Sequence, residues 1–222
     1  MYNVFILGII SFLTDVSTEM VYPLIPIFLT TTLGATPAIV GIIEEMAESL
    51  ASLLKVFSGH WGDKTKKKKE LAIAGYGSSM LGKGFLLIAN SWGIILIARV
   101  VDRLGKGIRT GLRDAIIADS AEVQSRGLYR AMDSLGAVIG VTIAYFLLVG
   151  NTTDFTKIFL ISLIPALLGV IALFWVRQPK EIKPTGQKLT FSWRGLDGKL
   201  KAFLILPFVF TLGNSSNQFL LL

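Results

Sequence analysis

Three sets of ionisable residues sit in stretches otherwise too apolar to dissolve them. Asp15 and Glu19 lie four residues apart, as do Glu44 and Glu48, while Arg99, Arg103, Lys106 and Arg113 recur at helical spacing. Residues three or four apart share one face of an α-helix, so the sets form two acidic stripes and one basic stripe. The chemistry open to such stripes is narrow. A carboxyl group in an enclosed cavity can take up and release a proton, and a guanidinium there engages anionic groups with paired hydrogen bonds. Other chemistry is removed by what the chain lacks. It has no Cys and one His, His60, which excludes disulfide scaffolds, thiolate zinc sites, Cys nucleophiles and His-rich metal centres. The Gly-Lys-Gly triplets at 82–84 and 105–107 lack the upstream Gly spacing and the following Ser or Thr of a phosphate loop, so no nucleotide-driven pump is indicated.

The surroundings of these stripes decide their role. The chain has 222 residues, 52% hydrophobic and only 17% charged, where a soluble domain carries about 25% charge. With a mean hydropathy of +0.64, it reads as an integral membrane protein. About 20 mostly apolar residues cross a bilayer as a helix, and seven such spans are predicted. Span 1 is Val4–Leu33, bent at Pro23 and Pro26; span 2 is Ala38–Phe57; span 3, Leu71–Ala89, is apolar apart from Lys83. Span 4, Trp92–Ile117, carries seven charges and is required by the loops around it. Spans 5, 6 and 7 are Leu128–Val149, Ile158–Val176 and Ala202–Leu222, the last two uncharged. Lys64, Lys66 to Lys69, Arg126 and the basic residues from Arg177 to Lys201 fall in loops on one side, and the opposite loops near 34–37, 90–91 and 150–156 have none. Basic loops stay cytoplasmic, which predicts a cytoplasmic N-terminus in a multi-pass protein of the cell (inner) membrane. Residues 1–13 lack the basic start and cleavage site of a signal peptide. The expected organisation is all-α and polytopic: a six-helix transmembrane bundle over 1–176, a cytoplasmic linker over 177–201, and over 202–222 the first helix of a truncated second bundle.

Within the spans and their ends the charges balance. The acids are Asp15, Glu19, Glu44, Glu45, Glu48, Asp102, Asp114 and Asp133; the bases are Lys55, Lys83, Arg99, Arg103, Lys106, Arg109, Arg113 and Arg130. The net +7 therefore belongs to the loops, where anionic headgroups attract it, and a nucleic-acid reading, which needs a solvated basic face, is excluded. A charge at the bilayer centre costs about 2.5–3.5 kcal/mol on the lenient scale, so these groups must pair or line water. Spans 1 and 2 hold five of the acids with one base, and span 4 holds five of the bases with two acids, which predicts an acidic face opposing a basic one. Lys55, Arg130 and Asp133, near the cytoplasmic ends, suit structural or snorkelling roles. Helices pack in lipid through small residues at far lower cost, so the full set points to conduction or exchange of a solute.

Particular segments resemble the major facilitator superfamily. Gly59 to Leu71, GHWGDKTKKKKEL, is similar to the signature after that family's second helix, with Gly59 and Asp63 in place, Lys64, Lys67 and Lys68 as basic members, and Lys66 where Gly is usual. Arg103 to Arg109, RLGKGIR, resembles the fourth-helix pattern with Lys106 in place of Gln. Gly136 to Val141 partly resembles the fifth-helix antiporter pattern, but Ala137 and Val141 replace Pro and Gly, so antiport is not inferred. The strings FLTDVSTEMVYPLIPIFL and RVVDRLGKGIRTGLRDAIIA resemble a bacterial branch of unsettled substrate. The resemblance implies two six-helix bundles around a cavity lined by helices 1, 4, 7 and 10, no cofactor, and a monomer when the full chain is present. Asn214 and Asn217, in the polar run NSSNQ of span 7, then suit a cavity-lining helix.

The expected function is secondary active transport of a small, charged solute by alternating access, coupled to protons. Asp15, Glu19 and Glu48 are the candidate proton carriers; Arg99, Arg103 and Lys106, with Asp102, are their partners, and Asp15 with Arg103 is the leading pair. Gly59, Asp63, Lys64, Lys67 and Lys68 would form the cytoplasmic conformational latch. No catalytic residue or metal ligand is predicted, and the partners are a small molecule or ion, protons and the bilayer. The alternative is a carrier exporting hydrophobic drugs, and after it a channel or receptor. The N-x-Thr triplet at Asn151 decides nothing.

Overall fold

The computed structural model describes residues 2–64, 68–120, 123–150 and 154–176, with 197, 198, 201 and 206; within the helices, side chains at 3, 4, 53, 55–64, 68, 111–120, 123–126 and 150 lie outside the description. The elements are helices throughout: α1 (Tyr2–Val21), α2 (Leu24–Thr31), α3 (Pro37–Lys64), α4 (Lys68–Leu86), α5 (Trp92–Ser120), α6 (Val123–Gly150) and α7 (Phe155–Ala172), which ends in a single 3-10 turn at Leu173–Trp175. Among the described residues there is no strand.

Span 1 is split rather than merely bent. Pro23 has no N–H to continue α1 and its ring crowds the preceding turn, so α1 stops at Val21 and α2 restarts at Leu24. Pro26 is tolerated because the first turn of α2 has no intrahelical partner for its missing donor. Beyond α2 the backbone adopts the left-handed conformation at Gly34 (φ 65°), and Ala35 N–H returns to the Leu29 carbonyl at 2.9 Å. The predicted loop after span 2 is largely helical instead: α3 runs to Lys64 and α4 begins at Lys68. At the start of α7, the Asp154 carboxylate accepts from Lys157 N–H at 3.0 Å and caps the helix.

α5 packs between α3 and α4, and α1 packs against α6 and α7, which also touches α4. Close approach uses glycine. A β-carbon on Gly82 of α4 would stand 2.7 Å from both the Ala98 carbonyl and the Asp102 nitrogen of α5, so no side chain fits there. Gly140 of α6 plays the same part against Val16 and Glu19 of α1.

Two apolar clusters close the interior. One gathers Leu24, Ile25, Phe28, Ile43, Ile95 and Phe159, with Phe28 edge-on to Phe159 at 5.5 Å. The other, nearer the α1 N-terminus, includes Leu7, Ile10, Ala72, Tyr76 and Leu173. A polar layer lies between them along the chain: Ser11, Thr14, Ser17 and Thr18 on α1, Ser79 and Lys83 on α4, and Asp102, Arg103 and Arg109 on α5 are all buried.

Three segments are long and apolar enough to cross a membrane by composition: Phe5–Thr31, Gly127–Val149 and Phe155–Trp175. The helices α3, α4 and α5 fall short of that test because they hold the charges. The chain's outer faces are lipid-like, with Val138, Tyr145, Phe146, Ile164, Phe174 and Trp175 exposed on α6 and the α7 segment.

Candidate functional site

α3 and α5 meet in register. Arg99 faces Glu44 and, one turn along both helices, Arg103 faces Glu48. In the first pair the guanidinium grips the carboxylate twice: Nε donates to Oε1 at 2.8 Å and Nη2 to Oε2, with both residues buried. This parallel geometry is the strongest an Arg and a carboxylate make. The second pair is different. Arg103 Nε lies 3.3 Å from Glu48 Oε2, yet the N–H is not aligned to donate and, among the described residues, no hydrogen-bond partner meets it. The Arg103 side chain is 3% exposed and that of Glu48 is 55% exposed. A buried cation thus looks out on an exposed anion through an unsatisfied donor.

Tyr22, at the break between α1 and α2, joins the pairs. Its ring lies 4.7 Å from the Arg99 guanidinium carbon and 4.9 Å from that of Arg103. The negative face of the ring attracts both cations. Helix interruption is what frees this residue to turn toward α5.

Behind this layer is a second group of charges. Asp102 accepts from Ser79 Oγ and sits 3.9 Å from Arg99 Nη1. Arg109 donates to Ser79 Oγ at 3.3 Å and lies 5.1 Å from the centre of the Tyr76 ring. Lys83 Nζ donates to Ser17 Oγ at 2.7 Å and to Thr18 Oγ1 at 3.1 Å. Ser17 Oγ in turn donates to the Ser162 carbonyl of α7 at 2.6 Å. A small pocket with room for about one water is lined by Thr18, Tyr22, Gly82, Lys83, Arg99 and Asp102, and so connects the two groups.

The predicted opposition of acidic and basic faces is present in α3 and α5. Arg103 meets Glu48, while Asp15 is half-buried on α1 and contributes to the field around Lys83. Glu19, also half-buried, presses its β-carbon toward α6 at Gly140. Lys106 is half-buried one turn beyond Arg103. Lys83 turns to the α1 hydroxyls and not toward Glu48, because α4 packs on the α1 and α7 side of α5. Gly59, Asp63, Lys64 and Lys68 lie in α3 and α4 with their side chains outside the description; Lys67, Asn214 and Asn217 lie outside the described residues altogether. Asp133 of α6, opposite the middle of α1, accepts from Ser11 Oγ and from Tyr129 OH at 3.2 Å, a tie between α1 and α6.

Sequence reasoning missed Glu44 as the tight partner of Arg99, and it missed Tyr22, Lys83 and Arg109. Tyr22 had a visible signal, an aromatic immediately before a helix-breaking Pro. The α4 contribution had none, since it depends on which helices touch.

The family model of the Major Facilitator Superfamily matches residues 7–221. The chain belongs to the major facilitator superfamily. It is 34% identical over 225 residues to the uncharacterized MFS-type transporter MJ1317 of Methanocaldococcus jannaschii, an alignment covering 99% of this chain and 56% of that protein. Similarity to the uncharacterized MFS-type transporter YqjV of Bacillus subtilis is 21% identity over 182 residues, 80% of this chain and 44% of YqjV. Among solved structures, the human organic anion transporter MFSD10 (TETRAN) superposes with a TM-score of 0.64 at 14% identity, over 86% of this chain and 51% of that one. The likeness to MFSD10 concerns the fold. The chain spans about half the length of these relatives, and it has the multi-pass, all-α membrane architecture of its superfamily.

Proposed function

We propose that this chain forms the N-terminal bundle of a secondary active carrier that moves a small anionic solute by alternating access, coupled to protons. Arg103 carries the reading. A guanidinium that is almost wholly enclosed, with an N–H lacking a hydrogen-bond partner and a solvated carboxylate opposite, favours an incoming anion that completes the missing bond. Arg99 is already satisfied by Glu44, so it holds Tyr22 and the seam in place while Arg103 does the binding. The name of MFSD10, an organic anion transporter, agrees with that solute class. Asp15 and Glu19 bring negative charge to the same bundle, and Lys106 extends the basic face past Arg103. The N-terminus faces the cytoplasm of an inner-membrane protein, residues 177–201 link this bundle to a second one beginning at 202, and the Gly59–Lys68 segment serves as the latch on the cytoplasmic side. In the monomer, the site lies near midplane and opens to each side in turn.

The test is uptake into proteoliposomes of radiolabelled benzoate, succinate and tetraphenylphosphonium, with and without a pH gradient. The expected result is saturable anion uptake with counterflow, stimulated by the gradient and abolished by Arg103→Ala. Accumulation of tetraphenylphosphonium in place of the anions would support export of hydrophobic cations and overturn the reading. Unsaturable flux without counterflow would mean a pore.

A further inference from the structure

Lys83 is buried, 3% exposed, and the anion site leaves it without a task. The enclosed cations beside it are Arg99, Arg103 and Arg109, which keep their protons under any biological condition. Lysine ionises reversibly. Its two hydrogen-bond partners, Ser17 and Thr18, are hydroxyls, and a hydroxyl accepts from an ammonium or rotates to donate to a neutral amine. Ser17 is committed to the Ser162 carbonyl, but Thr18 is available to make that exchange.

The charged groups facing Lys83 are Asp15 from α1 and Asp102, Arg103 and Arg109 from α5, with Arg99 across the shared pocket. α7 adds a carbonyl only, since its one charged residue, Lys157, is exposed at the far end. That pocket has room for about one water, and Lys83, Tyr22 and Arg99 all line it. Lys83 therefore borders the same small space as Tyr22, whose ring also carries Arg103.

We propose that Lys83, rather than Asp15, Glu19 or Glu48, is the proton-binding residue whose charge is linked to anion occupancy at Arg103. The proposal rests on the anion reading above. An ammonium at Lys83 and an anion at Arg103 attract each other through a medium of low dielectric, so each raises the other's affinity by the same factor. Proton movement is simple: the neutral amine takes H+ at Nζ from the side to which the cavity is open, and the ammonium returns it on the other side as the anion leaves. No other bond is made or broken. Anion and proton then cross together, without adding net charge to the bundle.

Binding of benzoate to the purified protein in detergent, measured by calorimetry from pH 6 to pH 10, decides the matter. In the wild-type protein, Kd should rise by up to about tenfold per pH unit once Lys83 begins to lose its proton, as one linked proton requires. Lys83→Arg, which fixes the charge, should bind tightly with a flat profile, and Lys83→Met weakly with a flat profile; Asp15→Asn should keep the wild-type slope. Wild-type slope in Lys83→Arg, or its loss in Asp15→Asn, would overturn the assignment to Lys83. Flat wild-type binding would do the same while leaving the anion reading intact. No benzoate or succinate binding at any pH would remove the anion reading, and the assignment with it.

Discussion

The two Arg–Glu pairs of the α3–α5 seam stand one helical turn apart and behave as opposites. Glu44 and Arg99 are both enclosed and locked by two parallel hydrogen bonds; Glu48 is exposed, and Arg103 is enclosed with its Nε unmatched. The same two residue types at the same spacing thus give a closed clasp and an open jaw. Burial of the acid makes the difference. When the carboxylate is desolvated it must be fully bonded, and when it keeps its water it leaves the arginine free for something else.

The largest way to break this contrast is to remove the acid of the clasp. Glu44→Ala strips Arg99 of both parallel hydrogen bonds in the interior and leaves Asp102 at 3.9 Å as its counter-charge, and thermal or denaturant unfolding in detergent should show a loss of about 3–5 kcal/mol. A Glu44→Leu, Arg99→Met double variant should recover most of that, because replacing a whole buried pair with apolar groups of similar size is often neutral. If the double variant is as unstable as the single one, the clasp is more than a balanced pair.

A smaller effect is expected behind the clasp. Gly82→Val introduces atoms where the α5 backbone stands, which should separate α4 from α5, disturb Asp102 beside Arg99 and cost about 1–3 kcal/mol, as overpacking does. Unfolding would show it, and the open Arg103 pair on the α3 side should be little affected. Smaller again is Tyr22→Leu, which withdraws one ring from two guanidinium groups. At about 0.5–1 kcal/mol per contact, stability should fall by about 1–2 kcal/mol, and benzoate affinity should fall as Arg103 loses its support.

The seam shows how far the sequence could be read. Four-residue spacing placed Glu44 with Glu48 and Arg99 with Arg103, and charge segregation implied that α3 and α5 meet, because unpaired ions in an apolar bundle are too costly to persist. Spacing along a helix says nothing about the register between two helices. Asp15 and Glu48 were therefore equally good partners for Arg103, and spacing alone could not place Glu48 beside it at 3.3 Å. A bend at Pro23 followed from proline chemistry, but the full break between α1 and α2 did not. The inward path of Lys83 did not, since it depends on Gly82 bringing α4 against α5 and on hydroxyls of α1 being within reach. Helical continuation to Lys64 went unread as well, because a Lys-rich run resembles a loop by composition while lysine is a good helix former.

The smallest stability change is expected at the open jaw, and it is also the most telling. Glu48 is more than half exposed, so its attraction for Arg103 is screened by water, and Glu48→Gln should shift unfolding by less than about 1 kcal/mol. Its effect on binding should run the other way from a structural loss. With the competing carboxylate gone, Arg103 keeps its enclosed positive charge and its unmatched Nε, and an incoming anion no longer has to displace a rival. Benzoate should then bind about 3- to 10-fold more tightly, equivalent to roughly 0.7–1.4 kcal/mol. Weaker binding in Glu48→Gln, at unchanged stability, would mean that Glu48 touches the solute directly and that the jaw receives a cation or a hydrogen-bond donor instead.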